Sequence, residues 1–162
     1  MNRKAPRTDH PQSGLHLALV IVAGMVTCYL PERFRYIGNW PMPRLLDEVR
    51  RLPQQSLILL GAYFRDSEES FFLSHASAQL ITDASRVPVY SLLDFNLGHG
   101  IVGGDMISGY YQDIAAAKKG LRVLQGEDPD TIPVTMEDGN QFMFDHTQLE
   151  KWGIDESNLP KK

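Results

Sequence analysis

The sequence predicts an α/β domain with a mainly parallel sheet flanked by helices. Three observations carry that expectation. Strand-like apolar runs alternate with helix-like periodic runs from residue 34 onward. Two runs, "SLILLGAYF" (56–64) and "VPVYSLL" (87–93), are nearly continuous in apolar residues, as strands covered on both faces read. The helical segments fall between the strands, the order that builds crossover connections in a parallel sheet.

Each element has its own local reason. "FRYI" (34–37) is a short strand. "PRLLDEVRRL" (43–52) is a helix, with Pro43 in the first turn and Leu45, Leu46, Val49 and Leu52 on one face; Pro53 ends it. Polar "RDSEES" (65–70) is a loop after the strand 56–64. Ser74 suits the cap of a helix over 75–85, which places Ala76, Leu80 and Ala84 on one side. After the strand 87–93, "IVGGDMIS" (101–108) supplies a further strand. The longest helix spans 109–125, where Tyr110, Ile114, Ala117, Leu121 and Leu124 recur at helical spacing and Gly126 stops it. "TIPVTM" (131–136) and "QFMF" (141–144) read as short strands around a turn at 137–140. Asp145 and Gln148 open a last helix that Gly153 closes, and the tail beyond 154 is polar and loose.

At 162 residues, 43% hydrophobic and 22% charged, the chain is about one globular domain long. A net charge of −4 with scattered basic residues argues against a nucleic-acid partner. Cys28 is the only cysteine, which excludes an internal disulfide. Residues 1–16 are polar and basic, and 17–30 form a 14-residue run whose only polar members are Thr27 and Cys28. That run is short of the roughly 20 residues a membrane span needs. Two readings stay open: a signal- or anchor-like segment over 1–30, or a buried first strand over 17–22. The domain plan is therefore a 1–30 leader-like segment, an α/β domain over 31–154 and a polar tail over 155–162.

The motifs exclude more than they assign. "IVGG" (101–104) matches the start of a mature trypsin-like protease, yet Gly100 precedes it where activation needs a basic residue. "GHGIVGG" lacks the G-K-[ST] ending of a phosphate loop and lies before a strand instead of after one. His10, His16, His75, His99 and His146 show no metal-ligand spacing, and no cofactor or catalytic set can be named.

Parallel sheets bind ligands at the carboxyl ends of their strands, which singles out the loops 63–67, 94–100 and 108–110. Arg65-Asp66 and Asp94-Phe95-Asn96 each follow an apolar strand directly. Arg65 could grip a carboxylate by two hydrogen bonds, or form a solvated salt bridge. Asp94 could receive an amine or hydroxyl, or cap a turn. Tyr63 and Phe95 could stack on a ligand ring, or close the core.

The segment 87–154 resembles the C-terminal part of the substrate-binding proteins of ABC transporters. It is most similar to the group that also serves as extracellular sensor domains of bacterial histidine kinases. "VPVY" ahead of Asp94, then "GIVGG", "GYYQDIAAAKKGLRVLQGEDPDTIPV" and "FDHTQLEKWGI" carry the resemblance; "LPQQSLILLGAYFRD" (52–66) adds to it. The resemblance implies one lobe of a type I periplasmic-binding-protein-like fold that captures a small solute without chemistry. Tyr63, Arg65, Asp66, Asp94, Phe95 and Asn96 would then be its ligand-binding residues. An ABC permease or a sensor kinase or cyclase segment would be its partner, on the periplasmic or membrane-associated, extracytoplasmic side. Gly103 and Gly104 would let a strand run close against a neighbour. Such proteins carry a further lobe ahead of the part that resembles residue 34, so the chain is expected to be incomplete. The face of helix 109–125 with Ile114, Leu121 and Leu124 would lack cover and could serve self-association.

Overall fold

The computed structural model describes residues 18–22, 34–73, 75–135 and 139–160. Four strands make one parallel sheet: β1 (Ala18–Val22), β2 (Phe34–Tyr36), β3 (Ser56–Leu60) and β4 (Val89–Ser91), in the order β2-β1-β3-β4. Of the two readings for the apolar run, the strand describes 18–22, which pairs with β2 on one side and β3 on the other. The rest of 1–30, and with it the leader-like segment, lies outside the described residues.

Helices α1 (Met42–Arg50) and α2 (Ala76–Ala84) follow β2 and β3. Both crossovers step the same way across the sheet, so a common right-handed sense puts both helices on one face. They pack against each other there. Met42, Leu45 and Val49 of α1 meet Ile58 and Leu60 of β3, Ala78 and Ile81 of α2, and Val87 and Val89 in one buried cluster. Burying a single aliphatic side chain of this set stabilises by about 1.5–3 kcal/mol. Along β3, Leu57 and Leu59 alternate with these residues and stay partly exposed, so cover is complete on the helical face only. Ser74 lies outside the described residues, and the residue ahead of α2, His75, makes no side-chain cap bond.

The remaining elements are β5 (Gly103–Ile107), α3 (Gly109–Leu124), β6 (Asn140–Phe144) and α4 (His146–Trp152). β5 runs alongside β4: the Val102 N–H donates to the Val89 carbonyl at 2.7 Å and the Ile107 N–H to the Leu92 carbonyl at 2.8 Å. Its other edge pairs antiparallel with β6. A Cβ on Gly103 would meet the Met143 carbonyl oxygen at 2.2 Å, and one on Gly104 the Ser91 carbonyl oxygen at 2.6 Å. The two glycines thus let β5 thread between β4 and β6.

Three sequence expectations are corrected. The apolar run 56–64 leaves the sheet at Leu60. The strand expected over 131–136 is replaced by a 3-10 turn at Pro129–Thr131, followed by irregular chain through 135. Asp128 accepts the Asp130 N–H at 3.1 Å in that turn, and Pro133 has no N–H to give a ladder. β6 consequently pairs with β5 instead of forming a hairpin with 131–136. The tail is also more structured than expected. Asp155 accepts the Ser157 N–H at 2.8 Å, and His146 Nδ1 lies 2.7 Å from Glu156 Oε1. The expected α4 ends are present: Asp145 accepts the Gln148 N–H, and Gly153 takes a left-handed φ of 64°.

Candidate functional site

The carboxyl ends of β2, β3 and β4 open onto one rim. It is built from Asn39 and Trp40 after β2, residues 61–66 after β3, and residues 92–97 after β4. Because β3 stops at Leu60, the chain that follows alternates on its own: Tyr63 turns inward, while Phe64 and Arg65 turn out.

Tyr63 supports the rim from below. It is 3% exposed, and its hydroxyl donates to the Trp40 carbonyl, tying the β3 loop to the β2 loop. Burial, then the nearby Asp66 charge, pushes its phenol above the usual tyrosine pKa. Trp40 in turn carries the Arg44 guanidinium, 4.1 Å from its ring centre.

Asp66 also belongs to the frame. Its Oδ2 accepts the Met42 N–H at 3.1 Å, at the first residue of α1. Its Oδ1 accepts the Glu68 and Ser70 N–H groups at 2.9 and 3.0 Å. The carboxylate therefore joins the start of α1 to the β3 loop. The Met42 bond is the chief cause that holds its pKa below the usual aspartate value; burial opposes, and the Ser70 and Glu68 bonds add to it.

Arg65 is exposed and folded back on its own loop. Its guanidinium is 2.6 Å from Glu69 Oε1 and 5.3 Å from the Phe71 ring centre. Asn39, Arg65, Asp66, Ser67 and Glu69 bound an open hollow of about 320 Å³. The solvated salt bridge is thus the arrangement Arg65 adopts.

Across the rim, Asp94 opens a 3-10 turn, Asp94–Asn96. The Leu97 N–H donates to its backbone oxygen at 2.9 Å. Among the described residues its carboxylate has neither a hydrogen bond nor an ion pair, so it caps no turn. Phe95 is 38% exposed and leans against Phe64, 44% exposed, with ring centres 6.0 Å apart. Asn96 is buried and donates from Nδ2 to Ser91 Oγ at 2.9 Å. Ser91 Oγ accepts the Leu93 N–H in turn, which shapes the turn that lifts Asp94 and Phe95.

Of the residues singled out in the sequence, Arg65, Asp94 and Phe95 reach the surface of the rim, while Tyr63, Asp66 and Asn96 hold it up. Sequence reasoning missed Phe64, which reads as the last residue of a buried strand; Arg65 immediately after it was the available signal that the chain had left the sheet. His75 and His99 stack at 4.5 Å, and Thr82 Oγ1 donates to the His99 carbonyl at 2.9 Å, fastening the loop 97–100 to α2. The loop 108–110 points elsewhere: Ser108 is buried, and Tyr110 stands edge-on to Tyr111 at 5.2 Å.

Among the described residues no three metal-ligating side chains converge, and no helix is long and apolar enough to cross a membrane. Comparisons of the chain with protein-family models, with curated proteins and with solved structures return no match.

Proposed function

We propose that the chain is a non-catalytic module for capturing a small solute, built as one lobe of a type I periplasmic-binding-protein-like fold. The observation that carries this reading is the rim: an Asp94 carboxylate with no partner among the described residues and two half-exposed rings gathered at the carboxyl ends of parallel strands. Ligands of open parallel sheets sit there. The strand order β2-β1-β3-β4 puts the switch point between β1 and β3, and the segment 61–66 leaves from β3 on that side. The resemblance of 87–154 to ABC-transporter substrate-binding proteins supplies the setting. In it the module works outside the cytoplasm and hands its state to a permease, or to a kinase or cyclase segment.

Amide shifts of the labelled chain during titration with a panel of small polar solutes test the reading. A binding solute should move amides in 37–40, 61–66 and 92–97, saturate, and be recovered unchanged. Asp94→Ala should weaken its binding by about 1–3 kcal/mol. Shifts confined to α3, or chemical turnover of the solute, would count against it.

A second reading is favoured by α3. None of its 16 residues is buried, and Leu121 and Leu124 face solvent. In this reading the chain is an interaction module that pairs through α3 with a second copy or a signalling partner. Light scattering separates the two, since a monomer at high concentration removes the self-pairing form.

A further inference from the structure

We infer that the rim over β3 and β4 takes an organic cation with a flat or apolar body, and not a carboxylate. This rests on the solute-binding reading and adds the charge and shape of the ligand. The first ground is charge. The segments 61–73 and 92–100 hold four acidic side chains, Asp66, Glu68, Glu69 and Asp94, against one guanidinium, Arg65. Arg65 lies 2.6 Å from Glu69 Oε1 and over Phe71, so an incoming carboxylate would compete with Glu69 for it. Asp66 is occupied by three backbone N–H groups. Glu68 and Asp94 remain as carboxylates with no partner among the described residues, and of the two Asp94 directly precedes an exposed ring in the chain.

The second ground is shape. Phe95 is the residue after Asp94, so their α-carbons are about 3.8 Å apart. Phe64 extends the apolar surface from the neighbouring strand end, 6.0 Å away between ring centres. A carboxylate one residue along the chain from a pair of half-exposed rings suits an ammonium group on an aromatic or alkyl body. The charge forms an ionic hydrogen bond with Asp94, and both the body and the cation are favoured against the rings. An anion would meet an unpaired negative charge at the same place.

Calorimetry and amide-shift mapping with three probes test the inference: 2-phenylethylammonium, phenylacetate and butylammonium. The expected order is 2-phenylethylammonium tightest, with phenylacetate weaker by about tenfold or more, the factor that one ionic hydrogen bond supplies. Asp94→Asn should lower the affinity for 2-phenylethylammonium by about tenfold. Phe95→Leu should narrow its lead over butylammonium. Phenylacetate binding as tightly as the cation, with shifts in 61–66 and 92–97, overturns the charge assignment but leaves the rim as a solute site. Unchanged cation affinity in a folded Asp94→Asn also overturns it. No shift in either segment with any of the three probes overturns the inference, while the solute-binding reading falls only if the wider panel of polar solutes also moves no amide there. The mapping uses the unaltered chain, so it decides the matter even where a variant fails to fold.

Discussion

The Asp66 carboxylate accepts three backbone N–H groups, and the Met42 bond is the main cause of its lowered pKa. A carboxylate whose pKa is depressed by folding contributes stability that is fully present above its unfolded value, near 3.8, and is lost as pH falls through the lower folded value. Asp66→Asn should therefore melt below the parent at neutral pH, and the gap should close as pH falls toward 2. Melting curves across that range check this, and coincident curves at every pH would mean the three bonds contribute nothing. His146 runs the opposite way. Its pKa is raised, chiefly by the hydrogen bond to Glu156, then by the charges of Glu150 and Glu156. Its contribution is present below about 6.5 and fades as pH rises through the raised value. Both partners are exposed, so the stability effect is small. The sharper readout is the imidazole titration itself: Glu156→Gln should bring its midpoint back toward 6.5. A midpoint unmoved by that change would show that the tail is not held to α4 by this pair.

At the scale of elements, β5 depends on what its glycines leave out. Gly103 has a φ of 140° and faces a β6 carbonyl, so an added methyl meets backbone that cannot step aside. Gly103→Ala should cost about 1–3 kcal/mol, read from the urea midpoint. An unchanged midpoint would mean that β5 and β6 are not in register contact. The elements most legible in the sequence were those whose signals are local. Pro43 with Leu45 and Val49 marked α1, and Asp145 with Gly153 marked both ends of α4. Strand pairing is not local, and this is where reading failed. β6 has ordinary strand chemistry, but nothing within it says that its partner is β5 and not 131–136. Pro133 was the available warning against a strand there. The rim shows the same division. Its location followed from the rule for parallel sheets, which needs only the order of elements. Which side chains face out depended on the strand ending at Leu60, which shifts the alternation so that Phe64, not Tyr63, meets solvent. The continuous apolar run 56–64 concealed that end.

Across the whole molecule, burial is uneven, and stability should be uneven in the same way. α1, α2, β3 and β4 share the buried cluster, whereas α3 buries none of its residues and Leu124 is 84% exposed. α3 touches β6 only lightly, with Ile114 and Ala115 half-buried, and a helix of this length with so little cover is marginal in water. Ala115, Ala116 and Ala117 favour it, while Gly120 costs about 1 kcal/mol relative to alanine. The ion pair from Arg122 in its last turn to Glu127 beyond it lies at the surface and adds little. Amides in 113–123 should therefore exchange with solvent through local opening, orders of magnitude faster than those of Ile58 and Leu60, which require global unfolding. The same contrast should appear in substitutions. Leu45→Ala removes a fully buried side chain and should cost about 2–5 kcal/mol. Leu124→Ser should stay within about 0.5 kcal/mol. Exchange measured at two protein concentrations then separates the competing readings of this helix. Protection of 113–123 that rises with concentration, and that Leu124→Ser abolishes, means a second copy covers the face. Protection as strong as that of β3 at every concentration means α3 is buried within the chain itself, which would overturn this account of where the fold's stability resides.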